Sequence, residues 1–254
     1  MSLMVIFKSF LLVFLFSCSS GKDLGSSPAE SLYLQAKKLS ESGRYILAVE
    51  KLNEIKSKYP YSFYAVPAEL LNAEVLFKQE NYIESAAAFL LFKDFHPQYK
   101  EIPYVIWMIA ESYYKQMPKT FDRDISSSLE AIKYYQELIQ RFPEYEKVNE
   151  AQSRLTEIQS FQRSKERYVA DFYFKTKVYD AARFRYLDIL RTFPYEEDPV
   201  LIEHSALRVI ESSRNMKEWD DCLTYIEKFS PYIQNQEIIS RMKFLKSRCV
   251  AKKV

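Results

Sequence analysis

Glycine is nearly missing from this 254-residue chain: there are three, and only Gly43 lies beyond residue 25. Phosphate-cradling loops need several glycines so that backbone N–H groups can approach a ligand, so no P-loop or dinucleotide fingerprint is possible. The same scarcity argues against an all-β chain full of tight turns. Histidine is as sparse. His96 and His204 stand far apart, and neither has a metal-ligand neighbour at helical spacing, so no metal site and no cofactor is expected. No serine sits in a GxSxG elbow, and the carboxylates are expected to face solvent and pair with Lys or Arg four residues away. The chain therefore reads as non-enzymatic, with no catalytic residue. Charge of either sign is not in excess, at 36 basic against 34 acidic residues, which gives no reason to expect nucleic-acid binding.

Long hydrophobic runs are also absent. The longest near the N-terminus, Phe10 to Phe16, is too short for a spanning helix, which needs roughly 20 apolar residues. With Lys8 upstream it looks like a secretory signal over residues 1–17. Leu15-Phe16-Ser17-Cys18 resembles a bacterial lipobox, in which the cysteine is lipidated and becomes the first residue. Residues 18–30 are small and polar, as a flexible tether would be. Cysteine is otherwise limited to Cys222 and Cys249, too few for a disulfide scaffold. They could bridge in an oxidising periplasm, although a small core residue is the commoner role for such cysteines.

What is abundant is aromatic, 20 Tyr and 18 Phe, and much of it recurs in phrase. KLNEIKSKYP, FLLFKDFHP, YYQELIQRFP and RYLDILRTFP are each an amphipathic helix closed by proline, at Pro60, Pro97, Pro143 and Pro194. Twelve residues before each proline stand Ala48, Ser85, Ala131 and Ala182; fifteen before stand Tyr45, Tyr82, Ser128 and Tyr179. Twenty-four before, in three of the four, stand Ala36, Ala73 and Ala170. Small residues on both helices of a pair let them approach closely. The units resemble the tetratricopeptide repeat, of about 34 residues with a terminal proline.

The spacing predicts a third unit with Ala110 in the small slot and a second helix that starts late, after MPKTFDRDI. A long helix from about Glu146 to Lys175 leads into the fourth unit. A fifth has helices over Leu201–Arg214 and KEWDDCLTYIEKFSP, with Trp219 and Cys222 in the Tyr and small slots. Residues 235–252 would cap the array, which otherwise exposes an apolar face. The expected fold class is all-α, an α-α superhelix (solenoid) of about five tetratricopeptide-like helix pairs with a C-terminal capping helix. His96, just before a unit-ending proline, is expected at the surface.

Such arrays bind peptides in a groove lined by the first helix of each unit. Tyr33, Lys37, Leu70, Glu74 and Phe77 are the expected groove residues, aromatics beside a lysine suiting an extended peptide with a carboxylate. The tail RMKFLKSRCVAKK carries six positive charges and no acid. It is either a solvated helix end or a contact for an acidic partner or anionic lipid.

The lipobox, the five repeats, the insertion and the long helix together resemble the BamD family (also called ComL or YfiO), lipoproteins of the outer-membrane β-barrel assembly machine. Phe121-Asp122-Arg123-Asp124 stands where the family carries an acidic-Arg-Asp stretch. KERYVADFYFKTKVYDAARFRYLDILRTFP is similar to its segment running into the fourth unit, including Glu166, Ala170, Tyr173 and Arg185. Lys177 stands where the family usually has glycine in the turn of that unit. The resemblance implies a lipid-anchored protein on the periplasmic face of the outer membrane, with other assembly lipoproteins among its partners. Residues 31–145 would receive unfolded outer-membrane proteins, and 146–254 would dock on the periplasmic domains of the barrel-forming component. Arg185, Glu166, Asp122, Arg123 and Asp124 would belong to the docking surface, the loop and Glu166 alternatively tying the insertion to neighbouring helices. A periplasmic repeat adaptor for cell-wall synthesis or division is the alternative reading.

Overall fold

A computed structural model describes residues 27–253, the side chain of Lys253 excepted; Cys18 and the signal lie outside the described residues. The chain forms two compact units, dividing between Gln98 and Tyr99. The helices on either side of residue 146, over Ser126–Arg141 and Val148–Lys175, pack on one another within the second unit.

The first unit holds α1 (Pro28–Glu41), α2 (Tyr45–Lys58), α3 (Ala65–Lys78) and α4 (Tyr82–Phe95). Each helix packs antiparallel on the next, and α1 also reaches α3. The second unit holds α5 (Ile102–Lys115), α6 (Ser126–Arg141), α7 (Val148–Lys175), α8 (Tyr179–Thr192), α9 (Pro199–Asn215), α10 (Trp219–Phe229) and α11 (Gln236–Lys253), with a 3₁₀ turn at Ser230–Tyr232. Its helices pair as α5–α6, α7–α8 and α9–α10, and α11 closes against α9 and α10. Among the described residues every regular element is helical. This is the expected all-α class of paired helices with a capping helix, and the late start of α6 and the long α7 stand where the spacing put them.

Ala36, Ala48, Ala73, Ser85, Ala110, Ala131, Ala170 and Ala182 are all sealed from solvent, as is Cys222 in the fifth pair. With so little side chain at the crossing, the two helices of a pair approach closely enough for a short side chain to bond the opposite backbone: Ser85 Oγ donates to the Ala73 carbonyl at 3.1 Å. The larger apolar residues pack around these crossings, in the second unit as one core from Ala170 to Cys249.

Helix ends follow from local chemistry. Ser27 and Asp198 cap α1 and α9, accepting from Glu30 N and Leu201 N, each followed by proline at the first helical position. Tyr59, His96, Phe142 and Phe193 each precede a proline and each leaves helical angles, as the ring of the following proline requires. Within the pairs the turns repeat one geometry. Gly43, Glu80, Lys177 and Lys217 have φ between 62° and 73°. In each case the residue that follows donates its N–H back across the helix end, Arg44 to Leu39, Asn81 to Leu76, Val178 to Tyr173 and Glu218 to Ser213. This is a Schellman closure, for which glycine is the unstrained choice, and three of the four turns use a residue with a Cβ.

Two expectations change. Cys222 and Cys249 are both buried, as core residues would be, but they are also bonded to each other. The capping helix brings Cys249 against α10, a juxtaposition that 27 residues of separation do not reveal. His96 is only partly exposed, because its ring packs 4.8 Å from Phe92 and bonds Glu69.

The turns yield a stability test. Lys177→Gly should stabilise the fold by about 0.5 kcal/mol, the relief of left-handed strain exceeding the added freedom of the unfolded chain. Gly43→Ala should cost about 1 kcal/mol through backbone strain alone, since an added Cβ meets nothing within 4 Å. Urea unfolding measures both. Reduction of the bridge should lower stability by about 3 kcal/mol, from the loop it closes, and reductant should have no further effect on Cys249→Ala.

Candidate interaction surfaces

Within the second unit, each first helix carries a carboxylate bonded by a basic side chain from the next first helix or from the cap. On α5, Glu111 is buried; Arg154 of α7 approaches it through Nε at 3.3 Å, and Tyr135 of α6 donates its hydroxyl to it. Arg154 also lies 4.5 Å from the Tyr114 ring centroid and bonds Glu157 at 3.1 Å. On α7, Asp171 accepts from His204 of α9 at 3.0 Å and from the Tyr186 hydroxyl, with Arg167 Nε at 3.6 Å. On α9, buried Glu211 is gripped by Arg208 at 2.8 Å and by Arg241 of α11 at 3.0 Å. Charges buried in this way must be paired, so these bonds fix how consecutive pairs stack.

Their protonation follows from the pairing. Burial works to raise the Asp171 pKa, but hydrogen bonds from His204 and Tyr186 and the nearby charges of His204 and Arg167 outweigh it and hold the group at about 2. Burial, then the Glu111 carboxylate, pushes the Tyr135 phenol up, and burial with Asp171 does the same to Tyr186. Neutral tyrosines donating to ionised carboxylates are bonds of a structural kind. No group of three or more His, Cys, Asp or Glu among the described residues could hold a metal ion.

These carboxylates were not singled out from the sequence, yet a signal existed. The residue after the small slot of each first helix is Lys37, Glu74, Glu111, Asp171 and, in register with the turn at Lys217, Glu211. The tail's first cation, Arg241, is likewise committed to Glu211. Lys243, Lys246 and Lys252 stay exposed.

The expected groove residues of the first unit do not form one open surface. Lys37 is exposed. Tyr33 is half-buried with its ring 5.3 Å from Tyr64, and half-buried Phe77 rests edge-on against Tyr82. Glu74 is half-buried. Leu70 is a correction: only 6 % of it is exposed, because α3 is flanked by α1, α2 and α4 and has few open positions. A cleft of about 580 Å³ opens instead among α2, α3 and α4, with Leu52, Phe92, Leu91 and Phe95 as apolar walls. Asn72 Oδ1 lies there buried and without a hydrogen-bond partner, beside the His96–Glu69 pair at 2.9 Å.

In the second unit, Asp122, Arg123 and Asp124 are exposed in the loop before α6. Asp124 accepts from Ser126 N, at the start of that helix, at 3.2 Å, and the Ser126 hydroxyl and amide hold its pKa below the usual carboxylate range. Lys165 of α7 donates to the carbonyls of Phe121 and Arg123, while Phe121 packs 4.9 Å from Phe161. The loop is thereby fastened to the turn of α7 that carries Glu166, through the neighbouring lysine rather than through Glu166 itself. Arg185 on α8 is half-buried and makes no hydrogen bond or ion pair among the described residues; two residues earlier, Arg183 is fully engaged by Ser213, Glu218 and Asp221. No helix among the described residues is long and apolar enough to cross a membrane.

Stacked helix hairpins with small-residue crossings, left-handed turn closures and a capping helix define a helical-repeat protein of the tetratricopeptide class. The family model described as YfiO, outer membrane lipoprotein, matches residues 26–217, and the chain belongs to that family. It is similar to the outer membrane protein assembly factor BamD of Vibrio cholerae, 26% identical over 193 residues, covering 72% of this chain and 80% of the relative. The protein of the same description from Neisseria meningitidis serogroup B is also 26% identical, covering 73% of this chain and 74% of the relative. Among solved structures the yeast Sti1 TPR2AB domain aligns with 89% of this chain and 100% of its own at 14% identity, with a TM-score of 0.43. The family match ends before α10, so the disulfide and α11 lie outside the matched residues.

Asp171 supplies a pH test. A carboxylate whose pKa is depressed in the folded state adds stability above its unfolded value, near 3.8, and loses it as pH falls toward about 2. Asp171→Asn should be less stable than the parent by about 1–3 kcal/mol at neutral pH. The difference should shrink between those two values, as measured by thermal melts across acid pH.

Proposed function

We propose that this protein acts in outer-membrane protein assembly, as a lipid-anchored periplasmic scaffold that binds the barrel-forming component and unfolded outer-membrane proteins. The observation that carries this reading is the family match, which runs through both units and takes in the insertion loop, α7 and α8. BamD relatives named as assembly factors over most of their length support it. Cys18 serves as the lipid attachment site, holding the protein to the periplasmic face of the outer membrane, with other assembly lipoproteins as neighbours.

The two surfaces differ in chemistry. Arg185 offers a fixed charge with no internal partner, suited to bidentate pairing with a carboxylate on the docked component. The loop at Asp122–Asp124 is fastened to α7, which carries Glu166, and together they present acids of opposite sign for the partner's cations. In the first unit, the cleft walled by Leu52, Leu91 and Phe92 and edged by Asn72 suits an apolar side chain followed by a polar backbone group, as an unfolded chain presents. Tyr33, Lys37, Glu74 and Phe77 remain as contacts on α1 and α3, whereas Leu70 contributes only to packing.

Affinity purification of the lipidated protein from its own membrane tests the reading. Recovery of a large β-barrel protein with periplasmic domains is the expected result; recovery of cell-wall synthases alone would replace it with the adaptor role. Arg185→Glu should reduce barrel-protein recovery about tenfold or more, the loss of one charge-assisted pair with a like-charge contact in its place. The melting temperature should stay unchanged, since the side chain bonds nothing within the fold.

A further inference from the structure

The antiparallel order of the first unit places four features at one end: the start of α1, the end of α2, the start of α3 and the end of α4. Residues 59–64, YPYSFY, join α2 to α3 at that end. Two backbone turns hold this loop, Ser62 N to Tyr59 O at 3.0 Å and Ala65 N to Ser62 O at 3.1 Å. Tyr64 anchors it to α1, its ring 5.3 Å from Tyr33 and its hydroxyl bonded to Glu30 in the first turn. The anchored loop pushes its other aromatics outward. Tyr61 is 100% exposed and Phe63 85%, Phe63 standing edge-on to Tyr64 at 5.5 Å; Phe95, at the end of α4, is 74% exposed. Single exposed hydrophobics are ordinary, but three aromatics held outward at one end of one unit are not.

What lies opposite that end follows from chain length. Cys18 is nine residues before Ser27, the cap of α1. At about 3.3–3.6 Å per residue, the tether spans at most roughly 30 Å when fully extended. If Cys18 carries the lipid, the end of the unit where α1 begins is the end the tether holds near the bilayer.

We propose that Tyr61, Phe63 and Phe95 form a membrane-contacting surface that seats this end of the first unit in the headgroup region of the bilayer. This rests on the lipid anchor at Cys18 given above and adds to it a second, protein-borne contact. The chemistry favours lipid through apolar and aromatic insertion. Tyrosine and phenylalanine suit the boundary between headgroups and acyl chains. Cations at this end are few, Lys56 and Lys58 in the last turn of α2 and Lys93 in that of α4, and Lys58 pairs with Glu54 at 2.8 Å, so attraction to anionic lipid is a minor term beside aromatic insertion. The acyl chains on Cys18 supply the attachment, and the aromatic contact fixes how this end of the unit is oriented on the bilayer.

Bromolipid quenching tests the surface. The acylated full chain, purified from its membrane, is placed in phosphatidylethanolamine–phosphatidylglycerol vesicles with brominated acyl chains. Phe63→Trp is compared with Ile83→Trp, an exposed position at the opposite end of the same unit. The parent signal from Trp107 and Trp219 is subtracted. The added emission of Phe63→Trp should fall to roughly half at an insertion of about 5–10 Å, little affected by salt, while that of Ile83→Trp should not change. Equal quenching at both positions, or none at Phe63, overturns the surface.

The anchor is scored separately, by incorporation of labelled palmitate that Cys18→Ser abolishes. Label with no quenching sinks the surface and leaves the anchor standing. Without label the anchor fails, and the surface is then judged on the unacylated chain. Its partition into the same vesicles should drop several-fold in Tyr61→Ser/Phe63→Ser, and an unchanged partition overturns the proposal.

Discussion

Close approach of two helix backbones at a small side chain is the constraint on which this molecule depends. Alanine, serine or cysteine occupies the crossing of each pair, and none of the crossings admits solvent. A larger residue there would force the pair apart and unseat the aromatics that fill the space alongside. Recurring turns and prolines set where the helices of most pairs end. In four of the five pairs a Schellman closure ends the first helix, and in four a pre-proline residue ends the second.

The polar groups serve the same architecture. Buried Glu111 and Glu211, and the partly buried Asp171, look at first like candidates for acid–base chemistry. Each is bonded by a basic side chain from the next first helix or from the cap, and the Asp171 carboxyl is held well below its usual range by those bonds. They set how one pair sits on the next. Interaction is left to groups that the fold does not consume: Arg185, the loop at Asp122–Asp124, the cleft beside Asn72 and the outward aromatics of YPYSFY. Arg183 and Arg185 show the difference plainly, since they are two residues apart on one helix and only one of them is spent internally.

The helical class, the pairs, the late α6, the long α7 and the cap were legible in the sequence because small residues and prolines recur at fixed offsets. Helical periodicity and steric exclusion act locally, within a few turns, so a string of letters carries them. Lys177 in place of glycine was legible as a departure; that it still takes up φ of 65° was not, because the surrounding pair imposes the turn. The candidate site was read less completely. Tyr33, Lys37, Glu74 and Phe77 stand on the helices named for them, but Leu70 is buried because α3 touches three other helices. The role of Lys165 in fastening the insertion loop depends on residues more than forty positions apart.

The sequence by itself determined where helices start and stop and which residue of each lies at a crossing, for those are consequences of side-chain size, proline geometry and capping. Tertiary structure alone decided that Cys222 meets Cys249, that Glu111, Asp171 and Glu211 find basic partners on the next first helix or the cap, and which arginine of α8 stays free. Those outcomes turn on distances between segments remote along the chain, and such distances exist only after the helices have stacked.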